Sequence, residues 1–310
     1  MSLEVLHPGM ASSLQDEGRY GYQQAGVPVC GAMDRYSHRL ANLLVGNQHD
    51  CASLEITLLG PRLRFWRRAV IALCGADLSP HIDGQPVPMQ QAISVPAGAV
   101  LGFGQRRQGA RAYLAVHGGF HVSLTMNSHS TCLMAQFGGF AGRYLRQGDH
   151  LVTRSAFANA TPRVLPFNAP ALFPREQQPI RLMAGRHWQQ LSADMQQRFL
   201  AAVYRIGQDS NRMGYRLEGA AITREHAREL ASEAVDYGTV QLPPDGQPII
   251  LMADAQTTGG YPKIAHVASV DLPRLAQMLP GDEIQFRLIS VDQAQQLAIE
   301  RAAWLNALCT

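Results

Sequence analysis

The chain has 310 residues, enough for two domains or one large one, and its 46% hydrophobic and 16% charged content fits a globular core with few charged faces. A net charge of +3 is too mild to imply nucleic acid, and no apolar run is long enough to span a bilayer. The five cysteines (Cys30, Cys51, Cys74, Cys132 and Cys309) are scattered, odd in number and free of any Cys-x-x-Cys pair, which argues against a disulfide framework and a zinc ribbon. The first residues lack a signal-peptide layout, so a cytoplasmic protein is expected.

Residues 3–6 read as a short strand. A long loop rich in glycine and proline follows to Asp34, and loops of this length inside a compact domain are functional or disordered. Its charged candidates are Asp16, Arg19 and Asp34, which are equally suited to salt bridges and turn caps. Asp34 can also cap a helix that runs to Val45 and stops at Gly46, with Tyr36, Leu40, Leu43 and Leu44 on its core face. From Ser53 the period changes to two. Short strands are predicted at 53–58, 62–65, 70–74, 78–82, 92–95, 100–103 and 112–116, separated by turn residues, the pattern of a β-barrel or sandwich. Arg62, Arg64, Arg67 and Arg68 around Trp66 fit a solvated edge strand better than a nucleic-acid patch. His117-Gly-Gly-Phe-His121 is a poor metal site, because its glycines oppose the helix on which zinc-binding histidines pair, and no metal is expected. A last strand of this half is placed near Leu151.

The stretch up to Pro179 is rich in Ala and Pro and reads as a linker. Domains are therefore expected at 1–160 and 179–310, joined by 161–178. The second half should open with a strand at 180–183 and a helix capped by Ser192 that buries Met195, Phe199 and Leu200. Later come a helix capped by Asp271, a strand at 284–289 and a C-terminal helix from about Asp292. Gly148-Asp149 and Gly281-Asp282 each precede a strand, a hint that the halves are related.

Residues 249–270 hold the densest set of functional groups. Two apolar runs, each fit for a buried strand, flank Asp254-Ala-Gln-Thr-Thr-Gly-Gly-Tyr-Pro-Lys263. Gly259, Gly260, Tyr261 and Pro262 break any helix, so the reading is strand, loop, strand, with the loop at a strand end. The Gln256 amide both donates and accepts, which suits another amide or ureido group, and Thr257 and Thr258 add hydroxyls. The glycines let a ligand approach the main chain. Lys263 is the only lysine in the chain, and Pro262 before it excludes a P-loop. Asn211 and Arg212 beside Gly214 form a second polar cluster, suited to a carboxylate or phosphate or to structural hydrogen bonds. An ordinary solvated loop remains the plain alternative.

Three motifs carry a resemblance through nearly the whole chain: Ala253-Asp-Ala-Gln-Thr-Thr-Gly-Gly-Tyr-Pro-Lys263, Ser210-Asn-Arg-Met-Gly-Tyr-Arg-Leu-Glu218, and Gly31-Ala-Met-Asp34 with Ala41-Asn-Leu-Leu-Val-Gly-Asn47 and Leu54-Glu-Ile-Thr57. With these the chain resembles the family of the 5-oxoprolinase C subunit, also called the biotin-dependent carboxyltransferase, allophanate hydrolase subunit 2 or Kip antagonist family. It is also similar to part of the carboxyltransferase domain of urea carboxylase. The resemblance implies a mainly β chain with a few helices, built as two cyclophilin-like β-barrel domains. It implies a cytoplasmic complex with 5-oxoprolinase subunits A and B that uses ATP, bound somewhere in the complex, to open 5-oxo-L-proline to L-glutamate. The active site would then lie at the contact with the second of those two partners. Ala234 and Tyr237 stand where relatives commonly have Gly and Pro, next to Glu233.

In that setting Gln256 and the Thr257, Thr258, Gly259, Gly260 backbone, with Tyr261, would contact the amide. Lys263, Asn211 or Arg212 would meet the carboxylate or a developing oxyanion, and Asp254 or Glu233 would orient groups or move protons. The rival enzyme reading is carboxyl transfer from carboxybiotin to a urea or amide nitrogen, with biotin on a separate carrier. The rival outside enzymology is a non-catalytic antagonist of a kinase-inhibitor protein. A self-sufficient amidase is disfavoured, since no Gly-x-Ser-x-Gly elbow is present.

Overall fold

The computed structural model describes residues 2–154, 178–223 and 230–308. These fall into two compact units, one of residues 2–20, 30–154 and 305–308, the other of residues 21–29, 178–223 and 230–304. The chain is mainly β with a few helices, as expected. The expected linker, Gln178 apart, lies outside the described residues.

The first unit places two sheets around one apolar core. The six-stranded sheet runs His150–Leu151, Leu3–His7, Arg62–Phe65, Val100–Phe103, Pro80–Ile82, Gln85–Pro86. The five-stranded sheet runs Ala11–Gln15, Ser53–Thr57, Gln108–Val116, Ala69–Asp77, Ala92–Val95. Leu3, Val5, Leu63, Phe65 and Leu101 from one meet Leu14, Leu54, Ile56, Ile71 and Leu114 from the other. Side chains alternate across a strand, so these positions fall on one face.

The other face of the five-stranded sheet is covered by α1 (Arg35–Leu44). Its N-cap is Asp34, whose carboxylate accepts from Ser37 N at 2.9 Å, as the sequence indicates. Because α1 lies there, Ser53 and Glu55 are buried as well as Leu54 and Ile56. The Glu55 carboxylate takes Met33 N at 2.9 Å and the Tyr113 hydroxyl at 2.7 Å, and that hydroxyl accepts Asp34 N at 2.7 Å. Burial and the neighbouring Glu55 charge hold the Tyr113 phenol well above its ordinary range, so it stays a donor. The charged residues of the preceding loop are likewise structural. Asp16 accepts from Gly18 N, Ser128 Oγ, His129 N and Ser130 Oγ. Arg19 is fully buried, bonding Thr125 O at 3.0 Å and Ser130 O at 2.9 Å with its guanidinium 4.6 Å from the Phe137 ring centre.

The second unit holds an eight-stranded sheet in the order Glu283–Ile284, Tyr204–Ile206, Gly214–Glu218, Ile249–Leu251, Thr239–Gln241, Lys263–Val267, Ile180–Ala184, Phe286–Leu288. Its two edge strands are separated in sequence only by Gln285. Successive Cα atoms are about 3.8 Å apart, so the sheet must curl until its edges nearly meet, giving a nearly closed barrel. The expected continuous strand at 284–289 is thus broken at Gln285, and the break lets one segment serve both edges.

Helix α2 (Ala193–Ala201) is capped by Ser192, whose hydroxyl accepts Met195 N at 3.3 Å. It buries Phe199 fully but Met195 and Leu200 only in part. The Phe199 ring stacks on Phe286 at 5.0 Å between centroids. Helix α3 (Leu272–Ala276) follows Asp271, but the Asp271 carboxylate makes no cap bond. It instead receives Arg181 N at 2.8 Å, Nε at 2.9 Å and Nη2 at 2.6 Å. Helix α4 (Val291–Ala307) ends the described chain.

The two Gly-Asp turns are the same structure. Gly148 N donates to Val5 O at 2.8 Å and Val5 N to Asp149 O at 2.9 Å; Gly281 N donates to Ile206 O at 2.7 Å and Ile206 N to Asp282 O at 2.9 Å. Each aspartate also accepts the amide three residues before it, from Arg146 and Leu279 at 2.7 and 2.8 Å. Both glycines have positive φ, 84° and 95°, which glycine adopts without strain.

Tyr113→Phe should lower stability by about 1–3 kcal/mol, because Asp34 N and Glu55 each lose a buried partner. The urea midpoint at constant m-value reads this; an unchanged midpoint would show that the hydroxyl is idle.

Candidate functional site

Strand Thr239–Gln241 lies between Ile249–Leu251 and Lys263–Val267 and pairs antiparallel with both. The polar loop therefore spans the end of that strand, and the strand–loop–strand reading holds. One feature is added. Thr258–Gly259 pairs antiparallel with Glu233–Ala234, with Glu233 opposite Gly259 and Ala234 opposite Thr258, so the loop is half of a small two-stranded flap. Gln256, Thr258 and Tyr261 are exposed, Thr257, Gly259 and Gly260 half-buried, and Lys263 buried.

Lys263 reaches from the barrel to the flap. Its ammonium donates to Gly259 O at 2.8 Å and to Glu233 Oε2 at 3.3 Å. The other Glu233 oxygen lies 3.1 Å from Arg186 Nη1. The Lys263 hydrogen bond, aided by the Arg186 charge, holds the Glu233 carboxyl below its usual range, so it is ionised at neutral pH. His187 sits alongside, accepting Lys263 N on Nδ1 at 3.1 Å. Burial pushes its imidazole down, Glu233 pulls it up, and Lys263 and Arg186 push it down again. Gly259 packs closely on Gln241: a Cβ there would come within 2.3 Å of Gln241 Nε2, so that side chain would have to move.

Arg212 and Asp254, predicted from separate motifs, bind each other. Arg212 Nε and Nη2 meet the two Asp254 oxygens at 2.8 Å each, and Asp254 N donates to Arg212 O at 2.8 Å. The pair is buried and bidentate. Asn211 is exposed and shapes its own turn, its Oδ1 accepting Met213 N at 2.8 Å. It borders a broad open depression with Asp209, Ser210 and Arg216 rather than the loop's cavity.

That cavity, of about 350 Å³, lies within the second unit. Gln256 and Thr257 line it, with Ala234 and Val235 from the opposite flap strand and Met252, Ala253 and Ala255 from the loop. The remaining wall comes from Gln23, Val29, Asp236, Tyr237, Thr239 and His266. Thr239 and His266 are cross-strand partners, with Oγ1 and Nδ1 3.4 Å apart. Asp236 N donates to Thr239 Oγ1 at 3.2 Å. Burial lowers the His266 imidazole and Asp236 partly offsets this, so the ring is neutral at neutral pH. Lys263, Glu233, Arg212 and Asp254 are not part of this wall. Among the described residues no three His, Cys, Asp or Glu side chains converge as metal ligands would, and no helix is long and apolar enough to cross a membrane.

Sequence reasoning missed Asp236, Thr239, His266, Arg186 and His187. The usable signal was His266, an ionisable group inside an otherwise apolar strand, Ile264-Ala-His-Val-Ala268. Nothing local marks Gln23 or Val29, which come from the other end of the sequence.

Comparisons agree with this architecture. The family described as carboxyltransferase domain, subdomain A and B, matches residues 25–288. The chain is 37% identical to the 5-oxoprolinase C subunit of Escherichia coli, over 97% of this chain and 98% of that protein. It is 35% identical to the 5-oxoprolinase C subunit of Haemophilus influenzae, over 99% of this chain and 97% of that one. Its structure is similar to the Kluyveromyces lactis urea carboxylase, with a TM-score of 0.91 and 32% identity over 99% of this chain, which spans 29% of that larger protein.

Arg212→Met should cost about 3–5 kcal/mol by leaving the Asp254 carboxylate buried and unpaired, and Asp254→Leu a similar amount. The double variant should cost less than either single one. A double-mutant cycle by chemical denaturation tests this, and additive losses would mean that the two charges are not a closed pair.

Proposed function

The chain belongs to the carboxyltransferase domain family, subdomains A and B, and from that premise we propose that it is a subunit of an ATP-dependent 5-oxoprolinase complex opening 5-oxo-L-proline to L-glutamate. The observation that carries this reading is the end-to-end match with two proteins named as the C subunit of 5-oxoprolinase, at 35% and 37% identity. In this reading the complex is cytoplasmic and includes subunits A and B, with ATP bound by the assembly.

The chemistry assigned to this chain is to hold a small cyclic amide. A lactam is a resonance-stabilised amide, and its carbonyl must be activated before the ring opens. Gln256 offers a planar amide to the cavity, matching the donor and acceptor of a lactam edge, and Thr257 adds a hydroxyl. Val235, Met252 and Ala255 add apolar wall against which the neutral ring can pack. Lys263 and Glu233 fix the flap that carries this edge, while Arg212 and Asp254 brace the start of the loop. Both pairs act by positioning.

The similarity to urea carboxylase favours a second reading, carboxyl transfer from carboxybiotin to a urea or amide nitrogen. A ureido ring presents the same donor and acceptor edge as a lactam, so the same cavity would serve.

The deciding assay mixes this chain with purified subunits A and B and follows 5-oxoproline-dependent ATP hydrolysis. Turnover should require the chain. Gln256→Ala should reduce kcat/KM about tenfold, the loss of one well-placed hydrogen bond. Turnover by the other subunits alone would overturn the reading.

A further inference from the structure

Opening a lactam adds one water across the carbonyl carbon–nitrogen bond. The hydroxyl goes to carbon, and the remaining proton must reach nitrogen as that bond breaks. A group on the cavity wall has to take the first proton and release it to the leaving nitrogen, because an unprotonated amide anion does not leave. The acid–base candidates singled out in the sequence do not line this cavity. Asp254 is closed by Arg212, and Glu233 is held ionised by Lys263 outside the wall.

We propose that His266 is the proton-transferring residue of this cavity, positioned by Thr239. The proposal rests on the functional reading above. It stands on geometry: among the described residues His266 is the one imidazole on the wall, bordering the same space as Gln256 and Thr257. Its Nδ1 is engaged by Thr239 Oγ1 at 3.4 Å, and Thr239 Oγ1 is itself fixed by Asp236 N at 3.2 Å. The Thr239 oxygen has two lone pairs and accepts from Asp236 N and from His266 Nδ1–H together; in that tautomer Nε2, which makes no other hydrogen bond among the described residues, is unprotonated and takes the proton. Thr239 thus fixes the ring's orientation and tautomer as a carboxylate or carbonyl does elsewhere.

The step balances on the imidazole. It accepts a proton as the carbon–oxygen bond forms, carries it as imidazolium, and gives it to the ring nitrogen as the carbon–nitrogen bond breaks. ATP, hydrolysed by the complex, supplies the activation of the carbonyl. A neutral imidazole is the required starting form, and burial favours it. Asp236 is the charged group acting on the ring; its cross-strand neighbours Met183 and Thr239 carry no charge.

The test uses the reconstituted complex. His266→Asn should lower kcat at least 100-fold, with KM changed far less, and should abolish the acid limb of the kcat–pH profile. Asp236→Asn should move that limb to lower pH, since removing the negative charge makes the imidazolium less stable. Thermal melting of the isolated chain identifies a variant that has simply failed to fold, in which case the Asp236→Asn shift decides. Retention of kcat within about threefold in His266→Asn, or an acid limb unchanged in both variants, overturns the assignment. The two failures are distinct. No 5-oxoproline-dependent ATP hydrolysis by the wild-type complex overturns the functional reading, whereas normal wild-type turnover that ignores His266→Asn overturns His266 alone.

Discussion

The candidate site depends on one ammonium group. The flap formed by Glu233–Ala234 and Thr258–Gly259 has only two residue pairs, and a two-stranded ribbon that short has little stability of its own. Lys263 belongs to a barrel strand and reaches both flap strands at once, Gly259 through its carbonyl and Glu233 through its carboxylate. The barrel's rigidity is thereby passed to the flap. An arginine would not reproduce this, because a broad planar fork cannot replace a compact ammonium between a carbonyl and a carboxylate. Gly259 is the matching half of the arrangement, its missing side chain leaving room for the Gln241 amide.

The first unit solves a similar problem differently. Its long loop after Gln15 is tied down by burying charge rather than by a latch. Asp16 collects four donors and Arg19 spends its guanidinium on backbone carbonyls and the Phe137 ring. The two units nevertheless share the Gly-Asp turn bond for bond. The same local hydrogen bonding thus serves two units whose sheets are built differently.

How much of this could be read beforehand followed from how local each feature is. The strands at Arg62–Phe65, Ala92–Val95 and Val100–Phe103 came out with their bounds, because alternation and flanking turns are encoded within a few residues. The Asp34 cap was legible for the same reason. Asp271 was misread because Arg181, 90 positions away, competes for its carboxylate and wins with three hydrogen bonds. Residues 284–289 were read as one strand because barrel closure, which breaks them at Gln285, is a property of the whole sheet. The same applies to the site. Its loop was visible as a cluster of polar types, but Arg212 and Asp254 were assigned separate tasks since nothing in either motif shows that they meet. His266, Thr239 and Asp236 become a group only when two strands pair.

The charges around the cavity have a consequence for any substrate that carries a carboxylate, as 5-oxoproline does. Among the described residues the wall includes Asp236 and neither arginine nor lysine. The two cations expected to meet such a group are already committed, Arg212 to Asp254 and Lys263 to Glu233. Arg186, 75% exposed at its side chain, shares Glu233 and leaves a modest positive surplus beside the flap, where water screens it. A cavity of this kind favours the neutral ring of the substrate and offers its carboxylate no buried partner. In the proposed complex, the missing cation is then the contribution to be sought in the partner subunits. Isolated chain should accordingly bind neutral cyclic amides at least as well as 5-oxoproline, and the preference should reverse only in the assembled complex.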